Sequence, residues 1–142
     1  MTLKDELQVR NIPFFLMRTS SADPAHIGRI AKRTANAGCT RAVSFHFNSS
    51  SASNSSGLEA LFHDDKKDRP LATRIHDELI RVTGLWNRGI KQRLDLAVLK
   101  FRLSPVVLIE LGFIINEIDR NHLLRRESRL AICRTIAATF AG

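Results

Sequence analysis

An α/β layered fold, a mostly parallel sheet flanked by helices in three layers, follows from three features of this sequence. Short apolar runs of strand length alternate with segments of helical period, the pattern of a sheet with crossover helices. The run Val106-Val107-Leu108-Ile109 is apolar without interruption, as a strand covered on both faces must be. No repeat, linker or compositional break divides the 142 residues, so residues 1–142 read as a single domain.

The elements follow in order. Ile12 to Met17 is a short apolar run and reads as a buried strand. Asp23-Pro24 opens a helix, with Asp suited to the N-cap and Pro to the first turn. Ile27, Ile30, Ala31, Thr34 and Ala35 supply its inner face, and Gly38 stops it. Arg41 to Phe47 is the next strand; Val43, Phe45 and Phe47 fall on one side, Ala42, Ser44 and His46 on the other. Ser49 to Gly57 is a low-complexity serine loop. Leu58 to Phe62 is a short strand, and Pro70 to Thr83 a helix with a stripe of Leu71, Ile75, Leu79 and Val82 ended by Gly84. Leu94 to Lys100 and Pro105 to Leu111 read as two further strands. A closing helix spans about Glu127 to Phe140, its stripe made by Leu130, Cys133, Ile136, Ala137 and Phe140.

Composition narrows the function only a little. Apolar residues at 44% and charged ones at 25% are ordinary for a globular protein. Lys plus Arg number 22 against 14 Asp plus Glu, a formal net charge of +8, which favours polyanionic surroundings such as nucleic acid, anionic lipid or an acidic wall. The basic residues are scattered, and no arginine-rich arm or aromatic-interleaved platform appears, so a nucleic-acid partner rests on charge alone and is not expected. Cys39 and Cys133 stand apart with no CxxC spacing and read as small apolar residues rather than a disulfide or metal site. No run approaches the ~18 apolar residues of a membrane span, and the polar, acidic start is unlike a signal peptide.

Two ionisable residues close apolar strands where ligands of such sheets gather, His46 and Glu110. Burial would raise the carboxyl pKa of Glu110 and suit it to acid–base work; a strand-end Glu paired with an Arg is the alternative. For His46 the alternative is a hydrogen-bonded core histidine. His63 and His76 read as surface histidines.

Ser44-Phe45-His46-Phe47-Asn48 resembles the Ser-x-His-x-Asn motif of the zinc-dependent N-acetylmuramoyl-L-alanine amidases, the peptidoglycan-cleaving enzymes that include phage-type lysins. Ile109-Glu110-Leu111-Gly112-Phe113-Ile114-Ile115-Asn116 resembles their Glu-x-Gly-Phe-x-x-Asn motif. Between these, Arg88-Gly89-Ile90-Lys91 and Leu96-Ala97-Val98-Leu99-Lys100 look like the family's Arg-Gly-Val-Lys and Leu-x-Val-Leu-Arg stretches. Upstream, Arg18-Thr19, Asp23 and Ala35-Asn36 are similar to its Thr-Arg-x-x-Asp and Ala-Asn elements. The ordered set, from about Ile12 onward, carries the resemblance.

The resemblance implies that His46 is a zinc ligand and Glu110 the catalytic carboxylate. It implies one zinc as cofactor, peptidoglycan as partner, and cleavage of the amide between N-acetylmuramoyl and L-alanine. The family's other two ligands, a His in an Asp-x-Gly-His-Gly-Gly strand and a Glu on the next helix, belong upstream of the Thr-Arg element. Only 17 residues precede Arg18 here. The family's first strand and helix are therefore expected to be missing, through a start downstream of the true one or a degenerate gene, leaving a neighbouring strand edge open. Glu6 lies in that short stretch and is not taken as a ligand. His26, in Asp23-Pro24-Ala25-His26-Ile27-Gly28, lies after the Thr-Arg element and reads as part of a helix start. The expected site of action is the cell wall, reached by lysis or by export from a longer amino terminus. A non-catalytic peptidoglycan-binding or regulatory remnant is the alternative.

Overall fold

The computed structural model describes residues 2–17, 27–52, 54–100 and 105–141. Their elements are α1 (Leu3–Val9), α2 (Ile27–Asn36), β1 (Ala42–Asn48), β2 (Leu58–Phe62), α3 (Arg69–Thr83), β3 (Asn87–Gln92), a 3-10 helix (Ala97–Lys100), β4 (Val106–Phe113), α4 (Glu117–Leu124) and α5 (Arg126–Ala141). The strands stand side by side in the order β1-β4-β2-β3. β1 is parallel to β4 and β2 to β3, whereas β2 and β4, at the centre, are antiparallel. Two parallel pairings thus flank one antiparallel pairing, and the α/β class holds with a mixed sheet.

Side chains of successive strand residues leave on opposite faces, which explains why Val106 to Ile109 of β4, covered on both, are all apolar. Val107 and Ile109 meet Leu58, Ala60 and Phe62 of β2 and the stripes of α3 and α5, where Leu71, Ile75, Leu79, Ile132 and Ile136 are buried. Val106 and Leu108 turn the other way, against Ala42, Leu61 and Leu99 of the 3-10 helix. Helix α3 forms where the sequence places it. Pro70 stands in its first turn, its apolar residues recur every four positions, and Gly84 ends it. Asp68, at its N-cap, accepts from the amide of Val106 at 3.0 Å and so fastens the helix start to the start of β4.

Several expectations need correction. Ile12–Met17 is irregular rather than a strand; Pro13 has no N–H to give a ladder, and Phe14, Phe15 and Met17 instead line a hollow with Val43 and Phe140. Leu94–Lys100 is a loop and a 3-10 helix, because Leu96, Val98 and Leu99 fold over the second core. The strand in that region is β3, which is polar and forms a sheet edge with Ile90 turned toward the first core. Helices α1 and α4 were not expected. His76 is 2% exposed on α3, not a surface residue; its Nδ1 lies 2.9 Å from Asp77 Oδ1. Arg18, Thr19, Asp23, Pro24 and His26 lie outside the described residues. No helix among the described residues is long and apolar enough to cross a membrane.

Candidate active site

The register brings the two sequence candidates together. His46 of β1 and Glu110 of β4 are direct partners across the parallel pairing, and Glu110 is also the direct partner of Glu59 on β2. Laterally paired residues share a face, with Cβ atoms about 5 Å apart. His46, Glu110 and Glu59 therefore form a row across three strands on the face opposite α3 and α5.

Two carboxylates side by side have been given different surroundings. Glu59 is buried, and Asn48 Nδ2 donates to its Oε1 at 2.8 Å. Its Oε2 accepts from Arg88 Nε at 3.2 Å and from Lys91 Nζ. Burial pushes the Glu59 carboxyl up, but the Lys91 ammonium and the Arg88 guanidinium outweigh it and hold the carboxyl below its ordinary value. Glu110 has no such support. Its Oε2 is buried without a hydrogen-bond partner among the described residues. Burial first, then the charge of Glu59, raises its pKa. A carboxylate kept basic and unpaired is suited to taking a proton, and the salt-bridged strand-end alternative is met by Glu59 instead. The His46 imidazole is shifted down by burial, toward the neutral form, and its Nε2 lies 2.8 Å from Ser44 Oγ.

A bulge aims both cations at Glu59. Leu58 pairs with Asn87 but Ala60 pairs with Ile90, so β3 carries one extra residue there. Gly89 takes it up at φ 79°, a conformation that glycine adopts freely. Residues three apart on a regular strand face opposite ways; the bulge puts Arg88 and Lys91 on one carboxylate. The Arg88 guanidinium also lies 4.9 Å from the Phe113 ring centroid.

The rest of the Glu110 motif builds the rim. Asn116 caps α4, accepting from the amides of Ile118 and Asp119 at 3.0 and 3.2 Å. Asp119, fully buried, accepts from Ser56 Oγ, the Gly57 amide and the Phe113 amide at 2.8, 2.8 and 2.9 Å. Gly112, at φ 143°, lies so close that a Cβ would stand 3.1 Å from Asp119 Oδ2. Gly112→Ala combines backbone strain with that contact and should cost roughly 1–3 kcal/mol. Urea unfolding checks this; a midpoint equal to that of the unaltered chain would refute the close-approach account.

Sequence reasoning found His46 and Glu110 but missed the parts played by Glu59, Asn48 and Asp119. Their partners lie up to 63 residues away, and the glycines at 89 and 112 were the only local signal. Glu6 is held by Arg10 and Arg134, on the α1–α5 side of the molecule. Among the described residues no group of three or more His, Cys, Asp or Glu side chains can hold a metal ion. His46 therefore does not complete, with its described neighbours, the three-ligand set of a catalytic zinc.

The model of the family described as N-acetylmuramoyl-L-alanine amidase matches residues 1–140. The Bacillus subtilis (strain 168) protein YqiI is 36% identical over 110 residues, 73% of this chain and 52% of that protein, so the chain spans about half the length of this curated relative. The catalytic domain of CwlV, an N-acetylmuramoyl-L-alanine amidase from Bacillus (Paenibacillus) polymyxa var. colistinus, matches with a TM-score of 0.85 at 22% identity, over 96% of this chain and 78% of that one. The CwlD amidase from Clostridioides difficile, solved in complex with the GerS lipoprotein, matches with a TM-score of 0.83 at 25% identity, over 96% and 78%.

Proposed function

This chain belongs to the N-acetylmuramoyl-L-alanine amidase family, and from that premise we propose that it hydrolyses the amide joining the muramoyl lactyl group to L-alanine in peptidoglycan. The observation that carries the reading is the pairing of His46 with Glu110, whose buried Oε2 has no hydrogen-bond partner among the described residues. Glu110 takes a proton from water as the water oxygen attacks the scissile carbonyl carbon. It returns that proton to the alanine nitrogen as the C–N bond breaks, leaving a lactyl carboxylate and a free amino terminus. Glu59 stays ionised in its cation clamp beside Glu110, which keeps the basic role on one carboxylate. The family's zinc would polarise the carbonyl and acidify the water; among the described residues His46 is the side chain that would be offered to it, without completing a three-ligand set.

The test is cleavage of purified peptidoglycan, read by mass spectrometry as peptides with a new L-alanine amino terminus, together with metal analysis. The expected result is cleavage with about one zinc per chain, and loss of both in His46→Ala. A second reading, a non-catalytic wall-binding remnant, is favoured by the lack of a three-ligand group among the described residues. Under it the chain is folded and metal-free, sediments with peptidoglycan and releases no peptide, and that outcome would overturn the hydrolase.

A further inference from the structure

Trp86 is the only tryptophan of a chain without tyrosine, and it is 71% exposed. Its place is specific. Its carbonyl accepts from the Leu58 amide at 2.9 Å, where β2 and β3 begin side by side. A Cβ built on Gly57 would stand 2.9 Å from Trp86 Cβ and 3.0 Å from Arg88 Cγ, so both side chains start over the same glycine. Arg88 reaches from there to Glu59, the direct neighbour of Glu110. Trp86 precedes Arg88 by two residues, about 7 Å along an extended chain. It therefore stands on the β3 side of the His46–Glu110–Glu59 row, two strands from β4 and so roughly 10 Å across the sheet from it. Exposed Ile114 and Ile115 follow Phe113, whose ring lies beneath the Arg88 guanidinium.

An exposed indole at the rim of a site costs solubility and adds nothing to the core, whereas its flat apolar face matches the C–H face of a pyranose ring. We propose that Trp86 is the stacking platform for a sugar ring of the glycan strand, a carbohydrate subsite beside the hydrolytic centre. The proposal rests on the amidase reading for its substrate class. In that substrate the sugar carries the lactyl group whose amide is cut, so a ring must lie within a few atoms of Glu110. Arg88, already shared between Glu59 and the Phe113 ring, fixes the strand that presents the indole.

The lone tryptophan makes the test direct. The full chain is titrated, watching its fluorescence, with a peptide-free N-acetylglucosamine–N-acetylmuramic acid oligosaccharide, which lacks the lactyl–alanine amide, and separately with free stem peptide. The expected result is a saturable emission change with the oligosaccharide and none with the peptide. In steady-state cleavage of peptidoglycan, Trp86→Ala should raise KM about tenfold with kcat within about twofold, and Trp86→Phe should recover most of the loss. Cleavage without an emission change, a response to peptide alone, or an unchanged KM in Trp86→Ala overturns the platform. A saturable emission change in a chain that cleaves nothing keeps the platform and removes the hydrolase, so the two failures are distinguishable.

Discussion

Glu110→Gln is expected to lower peptidoglycan cleavage by about 10³-fold or more while leaving the fold intact and, near neutral pH, more resistant to heat. The amide keeps the shape of the side chain but cannot take a proton from water. The stability gain has a separate cause. In the fold, burial and the Glu59 charge raise the Glu110 pKa. A raised carboxyl favours folding below the ordinary carboxylate pKa, and this advantage is lost as pH rises through the folded value. At pH 8 the unaltered chain therefore carries an ionised, half-buried carboxylate with an unpartnered oxygen, and the Gln variant does not. The melting-temperature difference should be near zero at about pH 4 and open in favour of Glu110→Gln toward pH 8. A variant that loses activity and also melts lower at pH 8 would mean that Glu110 is a structural partner, and the general-base assignment would go with it.

What could be read beforehand divides along a physical line. Periodicity and apolar runs depend on neighbours in sequence, so α3, β2, β4 and α5 were legible to within a few residues, and the alternation in β1 put His46 on its correct face. That His46 and Glu110 would meet was an inference from motif order. Their direct lateral pairing depends on how β1 and β4 align, and nothing local encodes that register. Edge strand β3 escaped because a strand with one half-exposed border buries little; Asn87-Arg88-Gly89-Ile90-Lys91-Gln92 reads as a polar loop, while Leu96, Val98 and Leu99 mimic a strand. The antiparallel pairing of β2 with β4 was hidden for a different reason: strand direction is set by the connections, not by the residues of either strand. Glu59 and Asp119 were invisible as buried acids. A carboxylate enters a core only with its donors, and those donors come from Lys91, Arg88 and Asn48 for one, and from Ser56, Gly57 and Phe113 for the other.

Asp119 is the residue on which the shape of this rim most depends, and Asp119→Ala should be the most destabilising of these substitutions. Its carboxylate is fully buried and serves two backbone amides and one hydroxyl. Those amides belong to Gly57, two residues before Glu59, and to Phe113, three residues after Glu110, so one side chain fixes the start of β2 against the end of β4. Truncation leaves both amides buried without acceptors, at about 1–3 kcal/mol each, and opens a cavity besides; the expected total is about 3–5 kcal/mol. For a chain of this size that corresponds to a melting temperature lower by roughly 10–20 °C. Asp119→Asn retains one acceptor oxygen for the two amides, and its amide group can donate to Ser56 Oγ, so it should lose less than half as much. Thermal unfolding of the pair tests the bond network rather than the volume of the side chain: if Asp119→Asn melts as low as Asp119→Ala, the amide bonds are not what holds the rim. If both melt within about 2 °C of the unaltered chain, the two strands are fixed by something other than this carboxylate.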